Sequence, residues 1–148
     1  MTLARRPVLA LAASTLVLGP RLARARDTVR GSGVAATQRR EVGAFTRISL
    51  GAPFAVGLRP ASREAIEIVA DDNVLPLIET TLRGDRSLQI ELAKDVRIEP
   101  RTPVVVTIDL VRLDALALGG SGTISGKAMQ TARLDAAIGG SGSITLSE

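Results

Sequence analysis

The sequence predicts an all-β fold that ends in stacked β-solenoid coils. Three observations predict it. Short runs alternate apolar and polar residues, turn chemistry separates these runs, and one glycine-serine corner is written twice, twenty residues apart. The corner appears first in "LALGGSGTIS", Leu116 to Ser125, and again in "AAIGGSGSIT", Ala136 to Thr145. No segment shows a sustained helical period, which leaves strands as the unit of structure.

In chain order, the first element is a targeting pattern outside the fold. "MTLARRP" is a basic start, "VLALAASTLVLG" an apolar run, and "ARA" at Ala23–Ala25 a small-x-small cleavage site. Residues 1–25 therefore read as a signal peptide, shorter than a membrane span, cleaved after Ala25. Arg5–Arg6 admits the twin-arginine route beside the general secretory one. The segment also carries Arg5, Arg6, Arg21 and Arg24 without an acid, so the formal charge of +4 belongs to it. Residues 26–148 carry fifteen basic and fifteen acidic residues, and this neutral balance argues against a nucleic-acid partner. No other apolar run approaches the roughly eighteen residues of a transmembrane span. The chain has no Cys, so packing and not disulfides must hold an exported product together.

Residues 26–41, "RDTVRGSGVAATQRRE", are polar and aperiodic and read as a flexible leader. The folded domain is expected over 42–148. Within it Phe54, Val56 and Leu58 share one strand face, as do Ile66, Ile68 and Ala70. Leu88, Ile90 and Leu92 form a third such set, and Val104, Val106, Ile108 and Leu110 a fourth. "LGAP", "RPAS", "RGDR" and "EPRTP" mark the turns between strands. "NVLPLIETTL", Asn73 to Leu82, reads as one strand or one short turn of helix, with Pro76 compatible only with a first turn. On the twenty-residue period Leu118 falls over Ile138, Gly120 over Gly140 and Ile124 over Ile144. One period earlier, Val96, Ile98 and Val104 would underlie Leu116, Leu118 and Ile124, with "EPRT" as the corner. In such stacking like residues lie on like, about 4.8 Å apart, and glycine lets the bends approach closely.

Four motifs in this order resemble one known family. They are "RREVGAFTRISLGAPFAVGL" at 39–58, "IVADDNVLPLIETTLRGDRSLQIEL" at 68–92, "TPVVVTIDLVRLDALALGGSG" at 102–122, and the second "GGSGSI". Together with "GSG" at 31–33 they are similar to the auto-transporter adhesin head GIN domain, a family of exported bacterial envelope proteins. The resemblance implies a right-handed single-stranded parallel β-helix and attaches no catalytic residues. The family's domains continue through further glycine-serine coils, whereas this chain stops at Glu148, two residues after Leu146. The solenoid is thus expected to be incomplete at its C-terminus, with an uncapped last coil as an edge for self-association.

The remaining motifs carry little chemistry. A phosphate cradle needs Lys and Ser/Thr opening a helix after the glycines, but Thr123–Ile124 and Ser143–Ile144 follow on strand pattern. The calcium-binding glycine repeat needs Asp where this chain has Ile124 and Ile144. "ADDN", Ala70 to Asn73, is the densest acid cluster, yet adjacent Asp71 and Asp72 point to opposite sides of an extended chain. An Asx-turn or helix cap before "NVLPLIE" is the expected role. The two "RLD" tripeptides, 112–114 and 133–135, read as solvated strand ends whose charges pair across the stack. Phe45 and Phe54, the only aromatic residues, fit the core better than a sugar-stacking platform.

Without His or Cys, no catalytic, cofactor-binding or metal-ligating residue is assigned, and no cofactor is implied. The expected protein is a non-enzymatic envelope module of the periplasm or cell surface. Its partner would be an envelope glycan or protein. The alternative is a carboxylate-dependent glycan-active enzyme, which needs two acids converging in one groove. Cleavage after Ala25 is the first testable outcome. The intact mass of protein recovered from the producing cell's envelope should start at Arg26, and a cytosolic product retaining Met1 would contradict export.

Overall fold

The computed structural model describes residues 26–127 and 131–147, and the expected signal peptide, 1–25, lies outside the described residues. The described chain forms thirteen strands and one short 3₁₀ turn. Strand β1 spans Asp27–Arg30, β2 Ala35–Arg40, β3 Arg47–Leu50, β4 Ala55–Pro60 and β5 Ala65–Asp71. The 3₁₀ turn, Leu75–Leu77, runs directly into β6, Ile78–Leu82. Next come β7 Ser87–Leu92, β8 Val96–Glu99, β9 Val105–Leu110, β10 Ala115–Gly119, β11 Thr123–Lys127, β12 Asp135–Gly139 and β13 Ser143–Ser147. Pro76 sits in the first turn of the 3₁₀ segment, where its missing N–H is harmless.

Two larger sheets share one core. The first runs β12-β10-β3-β7-β6 and the second β13-β11-β4-β9-β5-β2, while β1 and β8 form a separate parallel pair. Inward residues alternate as the sequence leads one to expect. Ile48, Leu50, Leu88, Ile90, Leu116 and Leu118 are buried from one sheet, and Val56, Leu58, Ile66, Ile68, Val106, Ile108 and Ile124 from the other. Phe45 and Phe54 are buried in the same cluster. Burial of branched side chains on this scale is the main drive for folding, at roughly 25 cal/mol per Å² of apolar surface removed from water.

This architecture overturns the single-stranded parallel β-helix. In such a helix every strand pairs parallel with the coil next to it in sequence. Here β5 pairs antiparallel with both β2 and β9, and β6 pairs antiparallel with β7. The link from β6 to β7 explains the last pair: the "RGDR" turn is closed by Arg83 N–H to Ser87 O and Arg86 N–H to Arg83 O. Arg86 takes a positive φ of 60° there. A link this short can only return the chain beside itself, as an antiparallel hairpin.

The twenty-residue repeat is real but spans only two layers. β10 and β12 pair parallel with Leu118 against Ile138, and β11 and β13 pair parallel with Ile124 against Ile144. Beneath Leu116, Leu118 and Ile124 lie Ile48, Leu50 and Val56, in place of the expected Val96, Ile98 and Val104. In sequence β5 to β9 fall between those two layers, which pair directly in space, while β7 and β9 lie parallel on the far side of β3 and β4, so sequence order and stacking order part. Val96 and Ile98 instead belong to β8, which pairs with β1. Residues 26–41 also depart from the flexible leader expected of them. They form β1 and β2, held by β8 and β5 through backbone hydrogen bonds with little apolar burial of their own.

At the repeated corner the two backbones nearly touch. Gly140 has φ of 137°, and a Cβ built on it would lie 2.4 Å from the Gly120 carbonyl oxygen. Both features exclude a side chain. Gly140→Val should therefore cost on the order of several kcal/mol, read as a lowered urea midpoint. Ser141→Ala, at the exposed neighbouring position, should cost about 1 kcal/mol or less. Equal midpoints for Gly140→Val and the parent would contradict this packing.

Candidate functional site

The acid-rich "ADDN" segment is the densest polar constellation, and the fold uses all of it for structure. Asp71 ends β5 and is 0% exposed. Its carboxylate accepts from the backbone N–H groups of Gly33 at 3.0 Å, Arg101 at 2.8 Å and Thr102 at 3.2 Å. Burial pushes this carboxyl's pKa up, but the hydrogen bonds from Thr102, Arg101 and Gly33 outweigh it and hold it below the usual carboxylate range. Gly31 must lack a side chain at this place, because a Cβ there would lie 1.9 Å from Asp71 Oδ2.

Its neighbours complete the clasp. Asp72 accepts from the Ser32 hydroxyl. Asn73 accepts from Ser32 N–H at 2.9 Å and donates to Arg30 O at 2.8 Å. The Asx-turn or helix cap expected of this segment is thus replaced by a longer-range role. The 3₁₀ turn has no side-chain cap, and Asp71, Asp72 and Asn73 instead bind a loop some forty residues earlier. That loop is the "GSG" at 31–33.

Arg40 makes a second clasp. Its guanidinium donates to Ile78 O at 2.6 Å, Leu75 O at 3.1 Å and Thr80 Oγ1 at 3.2 Å. These bonds tie the edge strand of one large sheet to the edge strand of the other, and burial lowers the Arg40 pKa. No signal of residue type separates Arg40 from the other arginines in the sequence. The burial of its partners' carbonyls appears only in the fold.

Several N–H groups of the glycine-serine corners serve the stack itself. Gly120 N–H donates to Gly139 O at 2.9 Å, Thr123 N–H to Phe54 O at 2.9 Å and Gly142 N–H to Gly120 O at 3.0 Å. These donors are engaged by carbonyls within the stack. The "RLD" charges pair within each tripeptide and not across the stack as expected. Arg112 Nε lies 2.6 Å from Asp114 Oδ1, and Arg133 Nε 3.0 Å from Asp135 Oδ1. The Arg112 hydrogen bond leads the causes that hold the Asp114 carboxyl below its ordinary pKa.

Shallow grooves mark the described surface. One of about 530 Å³ runs beside β8 and is lined by Glu91 and Asp95 together with Arg26, Lys94 and Arg97. Another, about 370 Å³, crosses the outer face of β3, β10 and β12 over Ser49, Ala115, Ala117 and Ala137. A third, about 560 Å³, is lined by Arg39, Arg40 and Arg63 together with Glu41, Glu64 and Asp109. Each mixes both signs of charge. Among the described residues no three His, Cys, Asp or Glu side chains gather as a metal centre, and no helix is long and apolar enough to cross a membrane.

In this two-sheet β module the buried Asp71 and the part-buried Arg40 both serve to hold the protein's own loops and edges. The chain belongs to the family described as "Putative auto-transporter adhesin, head GIN domain", which it matches over residues 44–147. Among solved structures, a "Putative lipid binding protein" from Parabacteroides distasonis superposes with a TM-score of 0.70 at 18% identity, covering 80% of this chain and 51% of that one. A "putative adhesin" from the same species gives 0.59 at 19%, with 82% and 68% covered. One from Parabacteroides merdae gives 0.58 at 20%, with 81% and 59% covered. The chain therefore spans between half and about two thirds of these relatives' length, and at such identities the likeness is one of fold. Comparison with curated proteins gives no match. Neither the family description nor these names state an enzymatic activity.

The Asp71 clasp makes a stability prediction with a definite sign. A carboxyl whose folded pKa is depressed stabilises the fold above its unfolded value, about 3.9. That contribution is lost as pH falls through the lower folded value. Asp71→Asn presents an amide to N–H donors, so its urea midpoint at neutral pH should fall. Its stability should also depend less on pH through the acid range than the parent's. A variant as stable as the parent at pH 7 would show that the clasp is not needed.

Proposed function

We propose that the protein is an exported, non-catalytic envelope module, adhesin-like, that binds an envelope component through the outer faces of its two larger sheets. One observation carries this reading. The buried acid of the densest acid cluster, Asp71, is engaged by three backbone N–H groups, and the surface acids Glu99, Glu67 and Asp109 lie against arginines. Such carboxylates are poor candidates for proton transfer, whereas broad polar faces over a rigid core suit multipoint surface binding. Family membership supports export to the periplasm or cell surface. The name of one relative makes lipid a second ligand class to test beside envelope polysaccharide.

Retention on isolated envelope polysaccharide and on phospholipid vesicles tests the proposal. Ala117→Arg on one outer face and Ser125→Arg on the other replace exposed small residues without touching the core. One of them should weaken retention roughly tenfold or more, the loss of about 1.4 kcal/mol. Retention equal to the parent's in both variants would contradict face binding. Polysaccharide cleavage abolished by Glu91→Gln or Asp95→Asn would replace the proposal with the glycan-active reading, since both acids line one groove.

A further inference from the structure

We propose that the tip of the β6–β7 hairpin, Arg83-Gly84-Asp85, docks on a cell-surface receptor that holds a divalent cation beside an acidic pocket. The hairpin sets this tripeptide at its apex. Arg83 N–H donates to Ser87 O at 2.9 Å and Arg86 N–H to Arg83 O at 3.0 Å, which leaves Gly84, Asp85 and Arg86 as the loop. Arg83, Gly84, Asp85 and Arg86 are all exposed. Ser87 N–H donates to Asp85 Oδ1 at 3.2 Å and so directs that side chain. The base beneath the tip is fixed, because Leu88 and Ile90 of β7 are buried in the core.

The backbone does not ask for this choice of residues. A three-residue hairpin loop puts its last residue in the left-handed region, where glycine is favoured. Here that residue is Arg86, with φ of 60°. The glycine stands two positions earlier, where it is not needed. Gly84 lies outside the left-handed region, and a Cβ built on it would meet nothing within 4 Å. A glycine that its own fold does not require lets another chain come close to the backbone.

The flanking charges select the partner. Arg83 and Asp85 do not pair with each other. Arg83 donates through Nε to Gln89 Oε1, which leaves both terminal nitrogens of the guanidinium for a forked bond to a carboxylate. Asp85 Oδ2 is 3.8 Å from Arg47 Nη1, with both side chains more than half exposed, a pair too loose to occupy the carboxylate. Its oxygen suits a hard cation, but such a cation takes about six or more ligands, and no metal-holding cluster gathers among the described residues. The cation must therefore come with the partner. An anionic glycan or lipid headgroup would attract Arg83 and repel Asp85. A receptor protein with an incompletely coordinated cation and a neighbouring carboxylate answers both.

Binding to an immobilised integrin ectodomain that recognises Arg-Gly-Asp tests this, in Mg²⁺ and again in EDTA. The proteins compared are the parent, Asp85→Glu and Gly84→Ala. Asp85→Glu keeps the charge and moves the carboxylate outward by one methylene. Gly84→Ala adds a methyl in open space, so its urea midpoint should match the parent's while its binding falls. The parent should bind in Mg²⁺ and release in EDTA, and each variant should bind at least roughly tenfold more weakly. A parent that does not bind at high micromolar concentration overturns the proposal. So does binding that persists in EDTA, or that either variant leaves unchanged.

Discussion

The structure depends on a corner that carries the chain from one sheet to the facing one within a single layer. Inward residues bracket it at a constant interval: Leu50 and Val56, Leu118 and Ile124, Ile138 and Ile144. If that interval changed by one residue, every side chain of the following strand would turn to solvent, because strand periodicity is two. The corner must also stack on the corner below it, with the Gly142 N–H bonded to Gly120 O and the Ser143 N–H to Gly122 O. Constant spacing is therefore a condition of the two-sheet core, and glycine is one where the repeated corners stack, Gly140 on Gly120 and Gly142 on Gly122. Neither has to be a ligand site.

A stack of parallel layers leaves loops and ends that apolar packing cannot fix. At the N-terminal side, polar side chains supply what packing lacks. β1 and β2 bury little, yet Asp71 and Asn73 bind the loop between them, and Asp71 also anchors the turn at Arg101 and Thr102. Arg40 then joins β2 to the 3₁₀ turn and β6. A buried carboxylate satisfied by several N–H groups is costly to disturb, since any loss leaves charge without solvent. In a chain without Cys, these two clasps hold segments that a disulfide could have held.

Much of this was legible in the sequence, and the failures have physical causes. Alternation alone placed Val56, Leu58, Ile66, Ile68, Leu88, Ile90, Val106 and Ile108 in the core, because each strand buries one face. The repeat at 116–125 and 136–145 gave two stacked layers in the right register. The layer beneath them was missed because it lies 68 residues back, Leu116 over Ile48 and Ile124 over Val56, and its corner reads "GAPF". The shared six-residue interval from Leu50 to Val56 was the available signal. Strand direction was not legible, since alternation is the same for parallel and antiparallel neighbours. Residues 26–41 were misread because their strands rest on backbone hydrogen bonds, and the Asp71 clasp because its partners are backbone N–H groups that every sequence has.

Stability along such a stack cannot be uniform. Among the described residues β3 and β10 each pair with a strand on both sides, as do β4 and β11, whereas the edge strands β2, β6, β12 and β13 have a partner on one side only. The inward side chains follow the same gradient, from buried Leu116 and Leu118 to half-exposed Ile138. Among the described residues the fewest contacts hold β12 and β13, so local opening is expected there first. At the opposite edges β2 and β6 likewise pair on one side only, but there the Arg40 guanidinium ties the two strands together through Ile78 O and Thr80 Oγ1, so polar contacts supply what a further strand would.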